Sequence, residues 1–190
     1  SIPEWKIKNV LHPEEFVMEA HPGEYFVFQV GVWALKNKLE DLHIKFTDLK
    51  EKGGFTITAD KMNCFNLGGT DFEGKPFSKT VNVPSGRVQA LWMGIDLEDI
   101  KEGNYKGSVS VFVNGEKQRI PFLLKISGEP VPNHGCDEGA HLSRLNWLNS
   151  TVGINEEITN GYIPVQLEEN KVSILGRTLH IAPNMSLIYI

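Results

Sequence analysis

Apolar and polar side chains alternate with a period of two residues between Phe16 and Ile126. One such run places four apolar residues on one face and two others opposite: Phe26, Phe28, Val30 and Val32 against Gln29 and Gly31. Successive side chains of a strand point to opposite faces, so each run predicts a strand with one buried side. Similar alternation recurs over 42–47, 55–59, 105–113 and 118–126.

Turn-forming residues separate these runs at short intervals. Asn114-Gly115 predicts a two-residue hairpin, because both residues tolerate the positive φ that such a turn requires. Pro121 lacks a backbone donor, so its strand is expected to expose an edge or bulge there. Seven or eight short strands of this kind predict an all-β fold, an immunoglobulin-like antiparallel β-sandwich.

We expect the sandwich to cover residues 1–127, followed by a linker over 128–140 that is rich in proline and glycine. Residues 141–190 predict a short, incomplete second β region, since strands near 162–167, 171–175 and 178–181 bury little on their own. The apolar end, 187–190, is expected to pair with the sandwich, with the rest of a larger domain or with a second copy of the chain.

Composition narrows the class of function. The 190 residues include 19 basic and 24 acidic side chains, and the net charge of -5 has no basic stripe. This excludes a nucleic-acid footprint. The longest nearly apolar run, 25–35, is too short to span a bilayer.

The two cysteines, Cys64 and Cys136, permit one disulfide, and their number does not indicate whether the protein folds in an oxidising or a reducing compartment. No nucleotide-binding or catalytic short motif is present, and we expect no cofactor.

The densest cluster of reactive side chains lies in the predicted linker. It contains His134, Cys136, Asp137, Glu138 and His141. Imidazole, thiolate and carboxylate groups can ligate zinc, but this spacing matches no established ligand pattern, so a solvated linker is favoured over a metal site. A nucleophile set of Ser143, His141 and Asp137 is a further alternative that needs partners from different elements.

Paired carboxylates and tryptophans give two other candidates. Pairs such as Asp71 with Glu73 lie in turn-like contexts, so solvated turns are favoured over glycosidic acids or calcium ligands. Trp33, Trp92 and Trp147 are the candidates for a sugar-stacking platform, although buried aromatics are commoner. Trp33 falls opposite the Phe26 and Phe28 face, which makes it the least certain member of the core.

Several segments together resemble a family of large bacterial proteins of the glycoside hydrolase family 123 type, common in Bacteroidetes. They are 21–31, 64–71, 87–94, 103–107 and the segment 143–155, Ser-Arg-Leu-Asn-Trp-Leu-Asn-Ser-Thr-Val-Gly-Ile-Asn. The resemblance implies a non-catalytic amino-terminal β region ahead of a barrel, secreted to the periplasm or cell surface with its signal peptide removed. Asp137-Glu138 matches the family's catalytic pair by letters only, so no catalytic residue is carried over.

Three functions follow as hypotheses. The favoured one is a non-catalytic accessory module that braces or orients a neighbouring domain in glycan processing. A carbohydrate-binding module using exposed aromatics is the alternative, and it predicts two coplanar aromatics on one sheet face or loop rim. An active glycosidase is the second alternative, and it requires two carboxyls roughly 5 to 10 Å apart in a pocket.

Overall fold

The computed structural model describes residues 16–137, 144–151, 153–155, 157–184 and 187–189. The fold is all-β, as the alternation predicts. The strands in chain order are β1 Phe16–Ala20, β2 Tyr25–Trp33, β3 His43–Phe46, β4 Leu49–Lys50, β5 Thr56–Ile57, β6 Met62–Cys64, β7 Gly68–Thr70, β8 Pro76–Ser78, β9 Val88–Asp96, β10 Gly103–Val113, β11 Glu116–Ile126, β12 Gln166–Glu168, β13 Lys171–Ile174, β14 Arg177–Ile181 and β15 Leu187–Tyr189. Two short 3₁₀ helices, Ala59–Lys61 and Arg144–Asn149, interrupt them.

The chain divides into two compact units, Ser1–Thr151 and Val152–Ile190. The first is an immunoglobulin-like β-sandwich. One of its sheets has six strands in the order β1-β11-β10-β4-β5, with β3 also paired to β10, and another has the order β2-β9-β6. Strands β7 and β8 form a separate hairpin. The domain boundaries predicted from the sequence, at residues 127 and 140, stay predictions.

The hairpin between β10 and β11 turns at the predicted residues. Asn114 and Gly115 have φ values of 50° and 79°, the left-handed pair that a tight hairpin needs. Pro121 lies opposite Ser108, and the described pairing of β11 with β1 begins one residue later, at Phe122.

The interior of the sandwich is apolar and filled. Its largest fully buried side chains come from both sheets: Tyr105, Phe122, Leu124 and Ile126 from the six-stranded sheet, and Leu91, Met93 and Ile95 from β9. The inward residues of β11 are those that the alternation predicts. Gly107 is needed within this core, because a Cβ there would stand 2.2 Å from Leu49 Cδ2.

The outward-facing side chains of β10 are less exposed than the alternating pattern predicts. Ser108 and Ser110 are buried although they lie on the polar face of their strand. Ser108 N donates to Thr47 Oγ1 at 2.9 Å, and Arg119 Nε donates to Ser108 Oγ at 3.0 Å. Long neighbouring side chains therefore cover this face, and its polar atoms are satisfied locally.

The second unit is a small antiparallel sheet in the order β12-β13-β14-β15. The terminal strand β15 pairs with β14 through Ile181 opposite Leu187 and His180 opposite Tyr189. One edge of the apolar terminal strand β15 is therefore paired with β14 of its own unit. Pairing with a second copy stays a prediction. Among the described residues, no helix is long and apolar enough to cross a membrane.

Candidate functional site

The face of the β2-β9-β6 sheet that points away from the core has two different ends. Cross-strand pairs lie on the same side of a sheet, which defines this outer face. Along β2 and β9 it contains the pairs Tyr25 with Asp96, Val27 with Gly94, Gln29 with Trp92, Gly31 with Ala90, and Trp33 with Val88. We name the Tyr25 and Asp96 side the covered end and the Trp92 to Trp33 side the open end.

At the covered end, Tyr25 is only 7% exposed, and its side chain reaches past Gly94 of β9 to Asn63 of β6. Its hydroxyl donates to Asn63 Oδ1 at 3.0 Å. Gly94 makes room for this arrangement, because a Cβ there would approach Tyr25 Oη to 2.6 Å and Asn63 Oδ1 to 2.9 Å. Burial, with a smaller contribution from the Asp96 charge, raises the pKa of Tyr25 to about 12, against the lowering effect of the Asn63 hydrogen bond.

The cover is the segment 128–137, which we call the strap. The predicted linker has fixed contacts here: Val131 is buried, and its N–H donates to Pro22 O at 2.8 Å. Gly23, at a φ of 76°, allows the close approach, since a Cβ there would lie 2.5 Å from Val131 O. Most of this segment is exposed, as expected for a linker, but Val131 and Gly135 are buried, which local sequence composition does not report.

The strap places His134 over the covered end. Asn133, His134 and Gly135 all have positive φ, which turns the chain sharply at the imidazole. The His134 ring meets Tyr25 edge-on at 6.2 Å, and Nε2 lies 3.0 Å from Asp96 Oδ1. The Glu98 N–H donates to the same Asp96 oxygen at 2.8 Å.

A cluster of three ligand-type groups results. One ligand atom each from Asp96, Glu98 and His134 lies within 4.8 Å of the others. Beside it runs a groove of about 290 Å³ whose lining includes Glu98, Asp99, Ile100, Pro130 and His134. The sequence pointed to His134 but missed the two acids. The only sequence signal for them is an Asp-x-Glu spacing at the end of β9.

The other residues that the sequence offered as weak metal-ligand candidates are placed differently. Cys136 is half-buried, and its Sγ accepts a hydrogen bond from Asn146 Nδ2 at 3.9 Å. Asp137 is exposed. Glu138, His141 and Ser143 lie outside the described residues. Both cysteines are free thiols. Burial raises the pKa of the Cys64 thiol, against the lowering effect of the backbone N–H groups of Asn66 and Leu67.

Two of the three candidate tryptophans share the open end. Trp92 is 38% exposed and Trp33 is partly exposed, and the strand register puts them on the same outer face. They stand roughly 14 Å apart along the strands, given about 3.4 Å per residue. Only the small pair Gly31 and Ala90 lies between them. Trp147, 59% exposed, lies instead on the second 3₁₀ helix.

The predicted acidic turn at Asp71 uses its oxygens locally. Asp71 Oδ1 accepts from the N–H groups of Glu73 at 2.9 Å and Lys75 at 2.8 Å. Glu73 forms an ion pair with Lys75. These partners account for the carboxylates without an ion. Phe72, at the tip of the same turn, is exposed.

Comparison with known proteins supports the fold. No protein-family model and no curated protein sequence matches the chain. Among solved structures, it is similar to a family 123 glycoside hydrolase from Clostridium perfringens, with 16% identity, a TM-score of 0.52, and coverage of 67% of this chain and 25% of that one. This chain thus spans about a quarter of that enzyme's length.

Two further structures are similar at lower scores. One is a PapD-like domain of human CEP192, with 11% identity, a TM-score of 0.38, and coverage of 64% of this chain and 92% of that one. The other is the CooA pilin subunit of enterotoxigenic Escherichia coli, with 13% identity, a TM-score of 0.36, and coverage of 63% and 92%.

Proposed function

We propose that the chain is a non-catalytic β module of a glycan-processing protein and that it braces or orients a neighbouring domain. The observation that carries the proposal is the apolar surface of the second unit. Its exposed large apolar side chains include Ile158, Tyr162, Ile163 and Val165 in the segment before β12, Leu167 in β12 and Leu175 after β13, with Leu167 at 71%. A single small sheet cannot bury its own apolar face, and such surfaces are typical of interfaces.

The occupant we assign to this surface is a further domain of the same polypeptide. The likeness to a family 123 glycoside hydrolase supports this choice, because the chain spans only a quarter of that enzyme. In a protein of that organisation the sandwich would supply a rigid body, and the apolar sheet of the second unit would supply the surface on which the neighbour rests.

The test compares the 190-residue chain with the complete gene product. Leu167 lies in β12 and Val165 lies directly before it, and both are exposed, so a Val165→Glu/Leu167→Glu double variant places two charges on this surface. In the 190-residue chain the side chains are already exposed, and we expect the free energy of unfolding to change by less than about 0.5 kcal/mol. In the complete gene product we expect a clearly lower melting temperature, because burying an unpaired charge is costly.

Phe72→Glu is the control, since Phe72 is also a largely exposed apolar side chain but lies on the first unit. It should leave both proteins unchanged. Equal effects of the double variant in the two proteins would contradict the proposal. A second outcome would also contradict it. In that outcome the gene product has no further domain, the 190-residue chain self-associates in sedimentation experiments, and the double variant loses this self-association.

A second candidate function is glycan binding at the open end. The specific observation is that the strand register places Trp33 and Trp92 on the same sheet face, with the small pair Gly31 and Ala90 between them. Aromatic faces held in one plane suit stacking against the apolar side of sugar rings. On this proposal the ligand is an extended glycan that reaches both rings.

Affinity electrophoresis against mucin-type and plant glycans tests this candidate. Trp33→Ala and Trp92→Ala should each weaken retardation by at least about tenfold in apparent affinity. Trp147→Ala is the control, because that ring is exposed but lies off the sheet, and it should keep wild-type binding. Retardation that survives in the Trp33→Ala/Trp92→Ala double variant, or that disappears in Trp147→Ala, would exclude the open end as the platform.

The proposal assigns no catalysis to the chain. Asp96 and Glu98 come from one strand end, two residues apart, whereas glycosidic acids flank the scissile bond from two sides. We expect no release of aryl glycosides. Turnover abolished by Asp137→Asn, Asp96→Asn or Glu98→Gln would overturn this. Since the proposed partner domain processes glycans, we also place the chain outside the cytoplasm, which cell fractionation can test.

A further inference from the structure

We propose that Asp96, Glu98 and His134 form a binding site for a zinc-type divalent cation that fastens the strap to the covered end of the sheet. This inference is independent of the proposed function. It rests on the three side chains that the fold brings together from two segments separated by 38 positions: the end of β9 and the strap.

The distances suit a small cation. Zinc lies about 2.0 to 2.2 Å from nitrogen and oxygen ligands, so two ligands of one tetrahedral ion stand roughly 3.3 to 3.5 Å apart. His134 Nε2 and Asp96 Oδ1 are 3.0 Å apart, and all three ligand atoms lie within 4.8 Å. Glu98 is exposed and its side chain is long, so a rotamer change suffices to complete the set.

The donor types select the class of cation. Imidazole is a ligand for zinc and other late transition metals, whereas calcium and magnesium take oxygen ligands. One imidazole and two carboxylates leave a fourth tetrahedral position. A groove of about 290 Å³ is lined by both Glu98 and His134, which leaves room beside the cluster for a water molecule as the fourth ligand.

The surroundings hold two of the ligands in place before a cation arrives. The His134 side chain is 19% exposed and that of Asp96 is 34% exposed. The Tyr25 ring supports the imidazole from one side. The Glu98 N–H fixes Asp96 Oδ1. Preorganised ligands reduce the ordering cost of binding.

A simple His–Asp ion pair is the competing explanation, and the chain contains a natural comparison. His43 Nε2 lies 3.1 Å from Asp41 Oδ2, nearly the same distance, but both side chains are about two-thirds exposed. Among the described residues, this second pair has no third ligand within reach. If His134 binds zinc, substituting it should therefore weaken zinc binding, whereas substituting His43 should not.

The experiment is calorimetric titration of the chelator-treated 190-residue chain with zinc chloride, followed by thermal unfolding with and without zinc. We expect one ion per chain and a zinc-dependent rise in melting temperature, because an ion that binds only the folded state stabilises it. His134→Gln, Asp96→Asn and Glu98→Gln should each weaken binding at least about tenfold. His43→Gln should leave it unchanged.

Two further variants separate this site from the set that the sequence suggested. Cys136→Ser and His141→Gln should bind zinc as the wild type does. Zinc binding lost in these variants and retained in Glu98→Gln would overturn the proposal in favour of a strap-only site. Absence of saturable binding to the wild type, or equal binding by His134→Gln and wild type, would also overturn it. Glu98→Gln is the decisive variant, since an exposed, isosteric change should not impair folding.

Discussion

The two ends of the outer face both lie on β2 and β9, with β6 added at the covered end, and they have opposite characters. At the covered end the Tyr25 ring is buried beneath the strap and hydrogen-bonded to Asn63. At the open end Trp92 remains more than one-third exposed beside Gly31. Each end carries at least one aromatic residue on this face: Tyr25 at the covered end, and Trp33 and Trp92 at the open end. The difference therefore comes from a distant segment that covers one end only, and it teaches that burial on this face depends on tertiary contacts.

Truncating the aromatic residue at each end is the strongest test of this comparison. Tyr25→Ala should lower the free energy of unfolding by about 3 kcal/mol, the usual cost of removing a buried aromatic ring. Trp92→Ala should cost about 1 kcal/mol, because much of that ring contacts solvent. Denaturant titration followed by tryptophan fluorescence measures both. Equal costs would mean that the open end is as well packed as the covered one.

Adding a methyl group at each end gives a second, smaller contrast. Gly94→Ala forces a Cβ against Tyr25 Oη and Asn63 Oδ1, and overpacking of this kind costs about 2 kcal/mol. Gly31→Ala has its nearest neighbour, Val88 Cγ1, at 3.9 Å, and we expect a change within about 0.5 kcal/mol. The same denaturant titration measures both changes in the free energy of unfolding. A destabilised Gly31→Ala variant would show that the open end is covered by other residues.

The smallest expected effect is the pH dependence of the covered end. The Tyr25 phenol has a pKa of about 12 when folded and about 10 when unfolded, so the fold favours its neutral form. Its contribution to stability is complete below pH 10 and is lost as the pH rises from about 10 to 12. Tyr25→Phe should remove this part of the alkaline decline, at a cost of about 1 kcal/mol at neutral pH for the lost hydrogen bond.

Tyr162→Phe is the control for that experiment, because Tyr162 is exposed. Its alkaline unfolding profile should match that of the wild type. Absorbance at the phenolate band gives an independent reading: one late-titrating group should disappear in Tyr25→Phe. An unchanged titration curve would show that another residue is responsible for the late step.

Much of the sandwich could be predicted from local pattern. Alternation identified the inward residues of β11, and Asn114-Gly115 identified the hairpin, because both signals lie within a few neighbouring residues. The burial of Ser108 could not be predicted in this way. Alternation assigns a side chain to a face, whereas the cover over that face comes from Thr47 and Arg119 elsewhere in the chain.

The candidate sites show the same limit. Sequence reasoning singled out His134, Trp33 and Trp92, since these residue types are informative alone. It grouped His134 with its neighbours Cys136 and His141, because spacing along the chain was the only measure of proximity. The acids that the fold brings to His134 come from β9, and an Asp-x-Glu pair at a strand end resembles any solvated turn until the strap is placed over it.

The pairing of β1 with β11 has a consequence for biosynthesis. Phe16 lies opposite Phe122 and Ala20 opposite Ile126, so this edge of the six-stranded sheet joins positions roughly a hundred residues apart. Loop closure over such a distance is entropically slow, and contacts of this range delay folding. A nascent chain cannot complete the sheet until Ile126 has left the ribosome, and until then β1 presents an unpaired edge that other proteins in the cell can contact.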